Sequence, residues 1–135
     1  MKNYIFEISM KVRSYECDFE SIVNNAVYQN YLEHTRHEFM EAHHLNVVEL
    51  HKQGIDTVVA RINIEFKNPL HDNEEFVSRL YVKKEGIRYV FYQDIYRKSD
   101  ELLIIKAKVD IVCIINGRLG DCNLINNVFS EYLNG

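Results

Sequence analysis

Residues 24 to 43 hold the one stretch of this chain that can form a long amphipathic helix, and most of the chain beyond residue 59 has the period of strands. Tyr28, Tyr31, Leu32, Thr35, Phe39 and Ala42 recur at spacings of three and four, a broad apolar stripe on a helix from Asn24 to about His43. Gln29, Glu33, His37 and Glu41 face away from it. A sheet with one apolar face must bury that face against something, and this helix is the only sizeable cover the chain offers.

The strands are legible from alternation. Tyr4, Phe6, Ile8 and Met10 alternate with polar residues in a half-buried first strand. Asn46 followed by Glu49 resembles an N-cap pair, and Gly54 is placed to end a short second helix. From Ala60 to Lys67, apolar Ala60, Ile62, Ile64 and Phe66 alternate with Arg61, Asn63, Glu65 and Lys67, as in a strand with one face covered. Phe76 to Lys84, Ile87 to Tyr96 and Leu102 to Ile115 come next, with turns at Glu85-Gly86 and at residues 98–101. Asn116-Gly117 is a two-residue hairpin signal. Ile125, Val128, Phe129 and Tyr132 then recur at helical spacing. The expectation is an α+β domain of one long helix and about five or six antiparallel strands.

A length of 135 residues with 47% hydrophobic content fits one domain spanning 1–135. The net charge of −4 argues against a nucleic-acid partner, which needs a concentrated basic face. No apolar run approaches the roughly 20 residues of a membrane helix, and residues 1–12 alternate instead of forming a signal-peptide core, so neither membrane nor export is expected. Cys17, Cys113 and Cys122 are odd in number and fit no metal spacing, which reads as reduced cytoplasmic thiols used for packing. No cofactor is called for. Ile104, Val112 and Ile114 make the second face of the last long strand apolar as well, which motivates burial by another copy, as a homodimer or homotetramer.

The chemistry concentrates between Tyr15 and Glu38. Asp18 lies in a loop just ahead of the helix start at Asn24-Asn25, so a carboxylate would face N–H groups that have no intrahelical partner and carry the helix's partial positive charge. Such amides can hold an oxygen that becomes negative during attack on a carbonyl. Tyr15, Asp18, Val23, Asn25, Tyr28, Tyr31, Glu33 and Arg36 together resemble the first motif of hotdog-fold acyl-CoA thioesterases of the 4-hydroxybenzoyl-CoA thioesterase type.

The resemblance implies a long central helix wrapped by an antiparallel sheet, with Asp18 as nucleophile or general base and the Asn25 amide polarising the thioester carbonyl. It implies an acyl-CoA substrate and a site completed across a subunit interface. Two departures stand out. Ser21 occupies a position where the family usually has glycine. Glu20 and Ile22 stand where fatty acyl carrier protein thioesterases carry an asparagine and a histidine, so the single-carboxylate mechanism fits better.

Tyr15 and Tyr28 are expected beside the substrate, and Lys83, Lys84 and Arg88, around the Glu85-Gly86 turn, could meet the phosphates of coenzyme A. Each also has an ordinary reading. Asp18 could cap its own loop, Asn24 or Asn25 could simply start the helix, and hairpin lysines are commonly just solvated. His34 and Glu38 form an i, i+4 pair with no further ligands at metal spacing, so no metal site is expected. The rival functions are a non-catalytic acyl-CoA binding module, an acyl carrier protein thioesterase, and a hydratase, against which Ile22 counts because a histidine is missing there.

Overall fold

The computed structural model describes residues 3–133, so the two residues at each end of the expected 1–135 domain lie outside the described residues. The elements run β1 (Phe6–Lys11), a 3-10 turn (Ser14–Glu16), α1 (Val27–Ala42), α2 (Val47–Lys52), β2 (Ile55–Phe66), β3 (Glu75–Glu85), β4 (Arg88–Arg97), β5 (Leu103–Ile115), β6 (Arg118–Gly120), α3 (Asn123–Val128) and α4 (Ser130–Leu133). All strands pair antiparallel in the order β1-β3-β4-β5-β2, with β6 on β5. This is the hotdog arrangement, with α1 lying along the covered face of the sheet.

Turn chemistry sets the register. Gly86 at φ +60 opens the two-residue loop that pairs Glu85 with Arg88, and Asn116 and Gly117, both at positive φ, form the next tight loop. The core face of the sheet presents Leu80, Val82, Tyr89, Phe91, Ile95, Ile105 and Val109, all at most 3% exposed. Leu32 and Phe39 of α1 are fully buried against it, and Phe39 contacts the rings of Phe6, Phe91 and Phe129. Each such side chain contributes roughly 1.5 to 3 kcal/mol on removal from water.

The structure departs from the sequence expectations in several places. β2 begins at Ile55 rather than Ala60, because Thr57, Val58 and Val59 pair with Cys113, Val112 and Ile111 before a bulge at Ala60. Tyr4 lies ahead of β1 and turns to the opposite face, where its hydroxyl bonds Asp94 and Tyr96. Ala42 is exposed, and Arg36, unmarked by the apolar stripe, is buried. Ile104 is covered by this chain's own core, so it lends no support to burial by another copy; Val112 is 8% exposed beside half-buried Ile114. The C-terminal helix forms in two short pieces joined at Phe129.

Candidate active site

Asp18 sits at the base of a three-residue hairpin loop. Its N–H donates to the Ile22 carbonyl at 2.9 Å, its carbonyl accepts the Ser21 N–H at 3.0 Å, and its carboxylate accepts the Glu20 N–H through Oδ1 at 2.8 Å. A type I turn followed by a left-handed residue is the usual build of such a loop, and Ser21, at φ +63, occupies that left-handed position. A residue with a Cβ carries a conformation glycine would take freely.

The hairpin is braced from three sides. Cys17 bridges Val23, Ile22 bridges His71, and the Asp72 N–H donates to the Ser21 carbonyl at 3.1 Å. Glu16 accepts the Arg13 N–H at 2.8 Å and the Tyr31 hydroxyl at 2.7 Å, which fastens the loop to α1. Glu16 thus serves the scaffold. Tyr31 is held well above the usual phenol range, first by burial and then by the Glu16 carboxylate.

α1 starts later than the sequence suggests. The Asn24 side chain accepts the Ala26 N–H at 3.0 Å and its carbonyl accepts the Val27 N–H at 2.9 Å, so Asn24 builds the turn and Ala26 is the N-cap. Asn25 precedes that cap and so stands outside the first helical turn in which the sequence places it. Its N–H meets no acceptor among the described residues and stays available to an incoming oxygen. Asn25 lines a cleft of about 310 Å³ with Ile22, Val23, Tyr28, Phe66 and Asn68. Tyr28 is a wall of this cleft, but its hydroxyl accepts the Leu70 N–H at 3.2 Å and its ring packs on Tyr31 and Phe66. Its oxygen is committed to the fold.

Asp18 does not line this cleft. Tyr15 is 77% exposed beside the hairpin, its hydroxyl accepting from Arg13 at 3.2 Å.

The expected basic cluster is divided between the faces of the sheet, with Lys83 and Arg88 on one and Lys84 on the other. Lys83 and Lys84 are neighbours on β3 and point to opposite faces. Lys84 pairs with Asp121 at 2.8 Å and Arg88 with Asp110 at 2.8 Å, while Lys83 lies over the stacked rings of Tyr81 and Tyr92. Cys17, next to Asp18, is pushed up by burial and by surrounding carboxylates, the opposite of an activated thiol. Among the described residues no group of three or more metal-type side chains converges, and His34 and Glu38 remain an exposed pair at 3.6 Å.

Comparison with known proteins bears on the fold and the family. The sequence is 36% identical, over 82% of its length, to the acyl-acyl carrier protein thioesterase ATL2 of Arabidopsis thaliana, a chloroplastic protein of which it spans 59%. It is 29% identical to a putative acyl-CoA thioesterase, YneP, of Bacillus subtilis over 82% of this chain and 80% of that protein. Its fold superposes on Slr0204, a 1,4-dihydroxy-2-naphthoyl-CoA thioesterase from Synechocystis, with a TM-score of 0.86 at 14% identity, covering 93% and 96% of the two chains. Residues 12–131 match the model of the thioesterase-like superfamily, and the chain is a member of that family.

Proposed function

We propose that this protein hydrolyses an acyl thioester to a carboxylic acid and a free thiol, with Asp18 as the reacting carboxylate and the Asn25 N–H as the oxyanion donor. The observation that carries the reading is the braced hairpin. It holds one oxygen of Asp18 on the Glu20 N–H and leaves the other unengaged, a few residues ahead of a free amide at the entrance to α1. Two routes use these parts. Asp18 attacks the carbonyl carbon, the C–S bond breaks and a mixed anhydride forms that water then opens, restoring the carboxylate. Alternatively Asp18 takes the proton of a water that attacks directly, help worth about 10² to 10⁴ in rate. One well-placed amide facing the oxyanion is worth roughly 3 to 4 kcal/mol.

Asp18 lies outside the cleft that Asn25 lines, which supports a homodimer whose interface completes the site, as the resemblance implies. β2 supplies a surface for it, as a 12-residue edge strand with Val58, Val59 and Phe66 each at least 41% exposed. Long exposed edges are templates for pairing. Pairing of two β2 edges would continue the sheet and bring two α1 helices side by side.

Acyl-CoA is the substrate implied by the resemblance and by relatives such as YneP. A second reading, an acyl carrier protein thioester, is favoured by the similarity to ATL2 and by the ion pairs that occupy Lys84 and Arg88. The test is to follow free thiol from acyl-CoA, acyl-pantetheine and acyl carrier protein thioesters with the parent and with Asp18→Asn. Thiol release lost in the variant supports the reading; release from none of the three by the parent refutes it and leaves a binding module.

A further inference from the structure

The outer face of the sheet, opposite α1, carries a pocket that the proposed chemistry does not use. Phe91 and Val109 are buried in the core under α1, so Tyr92 and Lys108, their neighbours in β4 and β5, point outward, and the two are paired across the strands. On the other side of β5, Asn63 stands opposite Lys108, Arg61 opposite Asp110 and Glu65 opposite Lys106. These side chains border a pocket of about 360 Å³, within the range of roughly 300 to 1,000 Å³ of small-molecule sites.

Its charge is unbalanced. Lys52, Lys67, Arg79, Lys84, Arg88 and Arg97 each hold a carboxylate within 3.3 Å. Arg61, Lys106 and Lys108 are exposed and, among the described residues, meet none, and all three border this one pocket. The acids around it are engaged elsewhere: Glu65 with Lys67 at 3.1 Å, Asp110 with Arg88 at 2.8 Å, and buried Asp94, opposite Lys106, with the Tyr4 hydroxyl. A chain with a net charge of −4 thus gathers three cations without carboxylate partners at one place. The pocket also has an aromatic wall. One face of the Tyr92 ring is stacked on Tyr81, with centroids 4.7 Å apart and planes at 9°. Tyr81 is not a wall of the pocket, so Tyr92 turns its other face inward, where the Lys108 ammonium lies 5.9 Å from the ring centre. That is the outer limit of a cation–π contact, at about 6 Å, and a stacked ring can replace it.

We propose that this pocket binds a nucleotide with two or more phosphates, its base stacked on Tyr92 and its phosphates held by Arg61, Lys106 and Lys108. Every base has a π face that stacks on an aromatic ring, and guanidinium and ammonium groups donate charge-assisted hydrogen bonds to phosphate oxygens. A free nucleotide and the nucleotide end of coenzyme A offer this same chemistry. Pairing of two β2 edges leaves the pocket open, because it joins main chains in the plane of the sheet while Arg61, Asn63 and Glu65 stand out of that plane. The site is separate from Asp18, and binding there does not depend on hydrolysis.

The experiment titrates ADP by calorimetry into the parent protein, into the double variant Lys106→Gln, Lys108→Gln, and into Tyr92→Leu. Adenosine and inorganic pyrophosphate are the controls, and coenzyme A is the second source. ADP should bind the parent, with adenosine and pyrophosphate each at least about tenfold weaker because each lacks half of the contacts. The double variant should lose at least about tenfold in ADP affinity with its unfolding temperature and its mass by light scattering unchanged, since both side chains are exposed. Tyr92→Leu should lose about tenfold for ADP and nothing for pyrophosphate, a split that a merely weakened fold would not give. Both results support the proposal, and competition then assigns the source: coenzyme A that displaces ADP puts the nucleotide end of the coenzyme in the pocket, and coenzyme A that does not leaves a free nucleotide. No ADP binding, whether or not a second dimer packs over the face, would overturn the proposal. So would pyrophosphate binding as tightly as ADP, or an unchanged ADP affinity in either variant.

Discussion

Ser21 carries a measurable strain. At φ +63 it sits in the left-handed region, where a side chain with a Cβ costs about 1 to 2 kcal/mol relative to glycine. Ser21→Gly removes that cost but frees the unfolded chain by about 0.4 to 1 kcal/mol, so the net gain is about 0.5 to 1 kcal/mol. For a domain of this size that is about 2 to 4 °C in unfolding temperature. The serine hydroxyl has no hydrogen-bond partner among the described residues, so Ser21→Ala should match the parent within about 0.5 kcal/mol. Ser21→Val, with a branched Cβ in the same conformation, should fall about 1 kcal/mol below it. Urea and thermal unfolding followed by circular dichroism, at one fixed protein concentration because assembly raises apparent stability, measures the series. A destabilised Ser21→Gly, or the same gain from alanine as from glycine, would refute the strain, since the effect would then not come from backbone conformation.

Asp18→Asn should keep the Glu20 N–H bond through its amide oxygen and unfold within about 0.5 kcal/mol of the parent, while turnover drops at least about 10²-fold; retained turnover removes Asp18 from the chemistry. Phe39→Ala, which empties a fully buried position in contact with Phe6, Phe91 and Phe129, should cost about 3 to 5 kcal/mol in urea unfolding, and a cost below about 1 kcal/mol would contradict the packing described. Burial pushes the Cys113 thiol up from about 9 to about 12, and the folded chain therefore binds a proton that the unfolded chain has released between those values. Stability should be level below about pH 9 and decline from there toward about pH 12, and Cys113→Val should make the decline shallower; a steeper decline in the variant would contradict that sign. Light scattering at micromolar concentration should give at least twice the mass of one chain, and a monomer would remove the interface at which the site is completed.

What the sequence determined by itself was whatever depends on local period and local turns. The stripe from Tyr28 to Phe39, the alternation of Ile62 and Ile64, and the turn pairs at Gly86 and Asn116-Gly117 specify α1, the strands and their hairpin register, because a side chain's direction along a helix or strand follows from spacing alone. The place of Asp18 in a loop ahead of α1 was legible too. Contacts between distant segments were not. No period shows that Lys84 meets Asp121 or that Arg88 meets Asp110, so three cations close in sequence looked like free charges when two of them are paired. The burial of Arg36 was equally hidden, since it interrupts an apolar stripe with a charge and only the Gln93 side chain, 57 residues away, explains how it is held. Asn25 fell just outside the helix because Asn24 bonds the N–H groups of Ala26 and Val27, a competition between side chain and backbone that propensity does not resolve. Tertiary structure decided these points because long-range pairs depend on where the sheet curls and which edge lies beside the helix, and neither is written in the spacing of residues along one segment.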